Sequence, residues 1–337
     1  MAATFLALDY DSMAARLAGA LDLQPGEKAG ARYDPAYFSE ILEPLRRRIP
    51  GLVAVKASDP LPALDGFTVW IALPLGPAAR ALAPAEQRAL VAWVDGGGAR
   101  REIHFHWMDG SRHPDGLTTA HPQAFDDLYF KALDIDYAAL DRAHARAIGI
   151  LRQGTTRIRT PAGTDLMFRI GARPFNRQNG DASPRRARDA RVRIDRHIEY
   201  PAGVLRVAPV EESASGVIVL PEARFGDTVA RKVALQIDNG RITRIRAEHG
   251  LEAVEKALAS DAARRFREFG LGFNPVLAHA PGSALPYYGY GAGVVRLSLG
   301  DNEELGGSVR GGFVRWFFFP DATVFVVRNL ILSDGRM

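Results

Sequence analysis

Near residue 156 the chain changes the period of its apolar residues, and that switch constrains the fold more than any other feature. Upstream, the short apolar or alternating segments Gly51–Lys56 (GLVAVK), Phe67–Leu73 (FTVWIAL) and Glu102–Trp107 (EIHFHW) alternate with stretches of helical character such as Pro35–Arg48 and Pro84–Val94. Pro84 at the start of the second, with Glu86 in its first turn, suits a helix N-terminus. Strands alternating with helices predict a parallel α/β layer. Tyr137–Leu151 is an amphipathic helix that leads into the second half. Downstream, β segments follow one another between turn residues. In Val233–Ile245 the Asn239-Gly240 pair predicts a tight hairpin, because both central residues of such a turn need positive φ. A helix over Leu251–Phe269 and strands around Val294–Leu299, Phe313–Phe319 and Thr323–Val327 complete the pattern. The fold class is α/β, with an N-terminal α/β domain over residues 1–135 and a β-rich α+β domain over 136–337.

Composition narrows the chemistry. The chain has no cysteine, which excludes a disulfide framework, a zinc ribbon, an iron–sulfur centre and a thiol nucleophile together. A metal would need His, Asp, Glu or Tyr, and the eight His are scattered. The 43 basic residues exceed the 39 acidic ones only slightly, and acids spread along the chain oppose a phosphate-tracking surface, so no nucleic-acid partner is expected. The N-terminal MAATFLALDYDSMAARLAGA lacks a basic leader and carries Asp9 and Asp11 in its apolar stretch, unlike a signal peptide. No apolar run approaches the ~18 residues of a membrane helix. The expected location is the cytoplasm, away from membranes. No GxGxxG follows the first strand, so a dinucleotide site has no support.

Five segments carry a family resemblance. They are Thr160–Leu166 (TPAGTDL), Tyr200–Pro209 (YPAGVLRVAP) with Ser213–Gly216 after it, Glu268–Pro275 (EFGLGFNP), Val295–Gly300 (VRLSLG) and Phe313–Trp316 (FVRW). In order and spacing they resemble, from about residue 133 onward, the thermophilic-type metallo-aminopeptidases, aminopeptidases T and S. More distantly they resemble 2,5-dihydroxypyridine dioxygenase. The resemblance implies an aminopeptidase T-type fold, a homodimer, and a site in the second domain where two glutamates, two histidines, a tyrosine and an aspartate hold two metals. Those positions fall here on Val204, Glu268, Arg296, Glu303, Arg315 and Phe317, and Glu268 alone matches. Arginine has donors but no acceptor and carries a permanent charge, so it cannot ligate a cation. The dioxygenase's final His-x-Asp would fall on the same Arg315 and Phe317, so its iron site is missing as well. No metal and no other cofactor is expected at this locus.

The residues suggest a replacement chemistry. Arg296 and Arg315 would substitute for metal charge and clamp a carboxylate with two parallel hydrogen bonds, while Glu268 would serve as general acid or base. The bland alternative pairs Glu268 with the two arginines in a dead site. Asp301 opens the acidic, Gly-rich loop Asp301–Gly307 and is a second catalytic candidate, with Glu303 nearby; the alternative is an exposed turn. Tyr287, Tyr288 and Tyr290 lie among glycines in Pro286–Gly293, where Tyr288 could donate a proton and the others wall a pocket, or all three could belong to a subunit interface. His104 and His106 share a strand face, without a third ligand evident from spacing, and read as a structural or cleft-facing pair. Glu211 and Glu212 are adjacent and cannot face each other as acid and base unless the chain bends. Ser213 and Ser215 lack a GxSxG setting.

The leading expectation is an enzyme of aminopeptidase T type with a degenerate metal site. It would act without metal on a small amide- or carboxylate-bearing molecule or short peptide. The alternatives are a metal-dependent aminopeptidase with ligands shifted to Asp301, Glu303, Glu304 or Asp321, and a non-catalytic binding or assembly protein.

Overall fold

A computed structural model describes residues 8–76, 78–107, 124–280 and 289–337. The chain divides into two compact units. The first comprises the described residues up to 135 together with Gly180–Ala202, and the second Asp136–Asn179 and Gly203–Met337. Residues 180–202, assigned to the second domain by the sequence pattern, therefore belong to the first unit.

The reason is a strand. The first unit's sheet contains β1 (Ala29–Tyr33), β2 (Val53–Lys56), β3 (Val69–Ala72), β4 (Arg101–Phe105) and, from later in the chain, β8 (His197–Tyr200). The order is β2-β1-β3-β4-β8 with every pair parallel. Helix α1 (Tyr10–Leu21) precedes the sheet, and the long crossovers that parallel neighbours need draw on α2 (Leu42–Arg48), α3 (Pro84–Asp95) and α4 (Ala124–Leu133). Asp9 caps α1 by accepting from the Ser12 amide at 3.0 Å, and Glu86 closes the first turn of α3 by accepting from the Ala83 amide at 2.7 Å. The helix expected from Pro35 starts later, as a 3₁₀ turn at Ser39–Ile41 that runs into α2.

In the second unit α5 (Tyr137–Leu151) precedes two antiparallel sheets. The larger runs β12 (Arg241–Arg246), β11 (Thr228–Asp238), β10 (Ser215–Phe225), β6 (Asp165–Arg169), β5 (Thr155–Arg159), β16 (Thr323–Val326) and β17 (Asn329–Leu332). The smaller runs β15 (Val314–Phe319), β14 (Val295–Gly300), β13 (Phe266–Gly272), β9 (Val204–Val207) and β7 (Asn176–Arg177). Leu166, Phe168 and Ile218 of the first and Phe269, Leu297 and Leu299 of the second join Leu151 of α5 in one buried cluster. Phe168 sets its ring 5.4 Å from that of Phe269, centroid to centroid. The hairpin between β11 and β12 turns at Asn239-Gly240, with φ of 47° and 72° and Asp238 paired to Arg241.

The expected helix over Leu251–Phe269 is shorter. Helix α7 covers Leu251–Ala257, and Phe266–Gly272 is the central strand β13. Ser260-Asp261 interrupts the helical run, and the closely spaced Gly270 and Gly272 disfavour helix but are tolerated where neighbouring strands crowd in.

Candidate functional site

Glu268 stands on β13, the middle strand of the five-stranded sheet, and is completely buried. Strand register dictates its surroundings. Gly270, two residues on and so on the same face, pairs with Arg206 of β9 on one side and Arg296 of β14 on the other. Both arginines reach past Gly270 to the carboxylate. A methyl group there would stand 3.4 Å from Arg296 Nε and 3.5 Å from Glu268 Oε1. Arg206 donates through Nε to Oε1 at 2.8 Å and through Nη2 to Oε2 at 3.1 Å, and Arg296 Nη2 donates to Oε1 at 2.7 Å.

A fourth bond comes from Arg267, whose Nη1 donates to Oε2. Neighbours on a strand normally face opposite ways, but the β13–β14 register shifts between Phe266 and Glu268, and this bulge lets Arg267 reach the carboxylate beside it. Glu304, on the loop after β14, accepts from Arg206 Nη2 at 3.0 Å and from Arg267 Nη2. Three guanidinium groups thus meet two carboxylates.

Burial alone would push the Glu268 carboxyl up, but the Arg206, Arg296 and Arg267 charges hold it well below the usual carboxylate range. With four donors on its two oxygens and no proton to give, Glu268 is poorly suited to general acid or base work. It organises the arginines instead.

Arg296 retains unmet hydrogen-bonding capacity. Its Nε is buried without an acceptor among the described residues, and so is Nε1 of Trp316. Trp316 pairs with Ser298, which follows Arg296 on the same face of β14. The Arg296 guanidinium carbon lies 5.8 Å from the Trp316 ring centroid and 5.4 Å from that of Tyr290, so two rings flank the cation.

Arg315 does not join this group, contrary to the expected convergence. It pairs with Leu299 and therefore shares that residue's face, opposite Arg296. Its guanidinium carbon lies 4.1 Å from the Phe225 ring centroid, and its Nη2 donates to the Arg224 carbonyl. Trp316, one residue on, takes the place expected for Arg315. Val204 and Phe317 are buried apolar residues.

Asp301 serves the loop. Its carboxylate accepts from the amides of Glu303, Gly311 and Gly312 at 2.9–3.0 Å. Against the opposing effect of burial, these donors lower its pKa. Glu303 is exposed and pairs with Arg310 at 3.2 Å. Glu211 is buried on a 3₁₀ turn, where Oε1 accepts from Asn302 Nδ2 at 3.1 Å and the Ser308 amide at 2.8 Å, while Glu212 is exposed. The two acids form no facing pair. Tyr290 is buried beside Arg296, and Tyr287 and Tyr288 lie outside the described residues. Arg206, Arg267 and Trp316 were absent from the sequence-derived candidates. Among the described residues, the His, Asp and Glu atoms close enough to share a metal ion lie in the first unit, at Glu102, His104 and His197. No described helix is long and apolar enough to cross a membrane.

No protein-family model and no curated protein matches the sequence. Solved structures do. The chain is similar to 2,5-dihydroxypyridine dioxygenase from Pseudomonas putida KT2440 with a TM-score of 0.66 and 15% identity, over 98% of each chain. It is similar to the aminopeptidase AmpT from Thermus thermophilus with a TM-score of 0.63 and 15% identity, over 97% of this chain and 98% of that one. The chain therefore has the α/β fold these two enzymes share.

Proposed function

We propose that the second unit binds a small carboxylate- or amide-bearing molecule, short peptides included, without a metal at the Glu268 locus. The observation carrying this reading is the pair of buried N–H donors, Arg296 Nε and Trp316 Nε1, that no described protein acceptor meets. Unpartnered buried donors are costly and rare in folded proteins. Here they stand beside the guanidinium groups of Arg206, Arg267 and Arg296, so an anionic or strongly polar oxygen acceptor suits the hydrogen bonding and the cationic surroundings. Glu268 then acts by holding Arg296 in place. The peptidase-like fold supports a small, peptide-related ligand. The reading with shifted metal ligands has less support, because Asp301, Glu303 and Glu304 are each engaged by amides or arginines.

The test is a thermal-shift screen with acetate, glycine, glycylglycine and acetamide, followed by calorimetry on any hit. A ligand selective for the native state raises the melting temperature with its concentration. Arg296→Lys keeps the charge but loses the Nε donor, and should weaken binding tenfold or more. Absence of any shift with all four probes, or unchanged affinity in Arg296→Lys, would defeat the proposal.

A further inference from the structure

The first unit carries a side-chain cluster that plays no part in the reading above. Glu102 and His104 lie on one face of β4, His106 follows just beyond its end, and Glu102 pairs in register with His197 on the edge strand β8. Glu102 is 1% exposed, while His104 is about one-third exposed, so the cluster opens to one side. His104 Nε2 stands 3.1 Å from Glu102 Oε1, His197 Nδ1 stands 3.1 Å from Glu102 Oε2, and the two nitrogens are 3.4 Å apart.

These three lengths join two imidazole nitrogens and the two oxygens of one carboxylate, close to the spacing of donor atoms around a single ion. A tetrahedral zinc ion with bonds of about 2.0–2.1 Å has ligand-to-ligand edges of about 3.3–3.4 Å. Each imidazole presents one nitrogen both to the carboxylate and to the other ring. Glu102 Oε2 is buried and without a properly directed hydrogen bond among the described residues. A cation at the centre would use all three lone pairs at once, and Glu199, paired with His104, adds negative charge nearby.

We infer that Glu102, His104 and His197 form a binding site for a divalent metal of the zinc class, with the fourth position left to water or a substrate oxygen. Two imidazoles and one carboxylate with an open corner form the donor set of catalytic rather than structural zinc. This site is independent of Glu268. The loss of metal-ligand positions in the second unit therefore says nothing about it.

The experiment uses the full chain, stripped with a chelator, reloaded with zinc or cobalt(II) and desalted. Elemental analysis should find about one equivalent of zinc per chain, and the cobalt form should show the intense visible bands of a four-coordinate ion. His104→Gln and His197→Gln should each reduce retained metal at least tenfold. Retention of less than about a fifth of an equivalent by the unaltered chain would overturn the inference without any variant being needed. Full retention in both variants, checked for folding by circular dichroism, would overturn it equally, because the metal would then sit elsewhere.

Discussion

Replacing Glu268 with Gln tests the buried cluster most directly. The substitution preserves shape but removes a carboxylate charge that Arg206, Arg267 and Arg296 share. The glutamine oxygen can still accept, but its NH₂ group must point a donor at guanidinium donors that now face Oε1 or Oε2. One negative charge is lost inside a sheet where Arg206, Arg267 and Arg296 are all buried. Removing one partner of a buried ion pair typically costs about 3–5 kcal/mol. For a unit of this size each kcal/mol lowers the melting temperature by about 2–4 °C, so a fall of about 6–20 °C is expected. The pH dependence carries a sign. The folded Glu268 carboxyl lies well below its ordinary value, so its contribution is fully present above about 4.5 and is lost as pH falls through the folded value. Urea titrations of both proteins at pH 7 and at descending pH would measure this. The gap should be full at pH 7 and narrow only below about 4.5. A loss under about 1 kcal/mol at pH 7, with an unchanged urea slope, would refute the reasoning.

Two further substitutions separate binding from folding. Gly270→Ala adds a methyl group at ordinary contact distance, 3.4 Å from Arg296 Nε, so stability should change by no more than about 1 kcal/mol while ligand affinity falls as the donor is covered; calorimetry alongside a thermal melt reads both. Arg315→Lys alters a cation on the opposite face of the sheet, over Phe225, and should leave affinity for small carboxylates unchanged within twofold in the same calorimetric assay.

Much of the fold was legible because its signals are local. Pro84 and Glu86 mark the start of α3, Tyr137–Leu151 is the helix its periodicity predicts, and Asn239-Gly240 makes the turn its φ angles demand. The segment 251–269 misled because a short helix, a turn and the start of a strand together contain enough helix formers to imitate one long helix. Residues 180–202 were hidden for a different reason. Their allegiance is decided by parallel pairing of β8 with β4, 92 or more positions away in sequence, and parallel pairing leaves no turn between its partners.

The site was legible only in its alternation. Glu268, Gly270 and Arg296 follow from period two once the strands are known, and the same rule sends Arg315 to the other face and brings Trp316 in. Arg267 breaks the rule through a bulge, and nothing in Phe266-Arg267-Glu268 announces one. Arg206 comes from a strand whose partner is set by the sheet, as His197 comes to Glu102 in the other unit. An electrostatic demand explains the arginines gathered around Glu268. A carboxylate buried this deeply needs cations within contact distance, and it is indifferent to whether they are metal ions or guanidinium groups. What changes is the chemistry offered to a ligand: a metal accepts lone pairs and activates water, whereas Arg296 and Trp316 offer only fixed N–H donors.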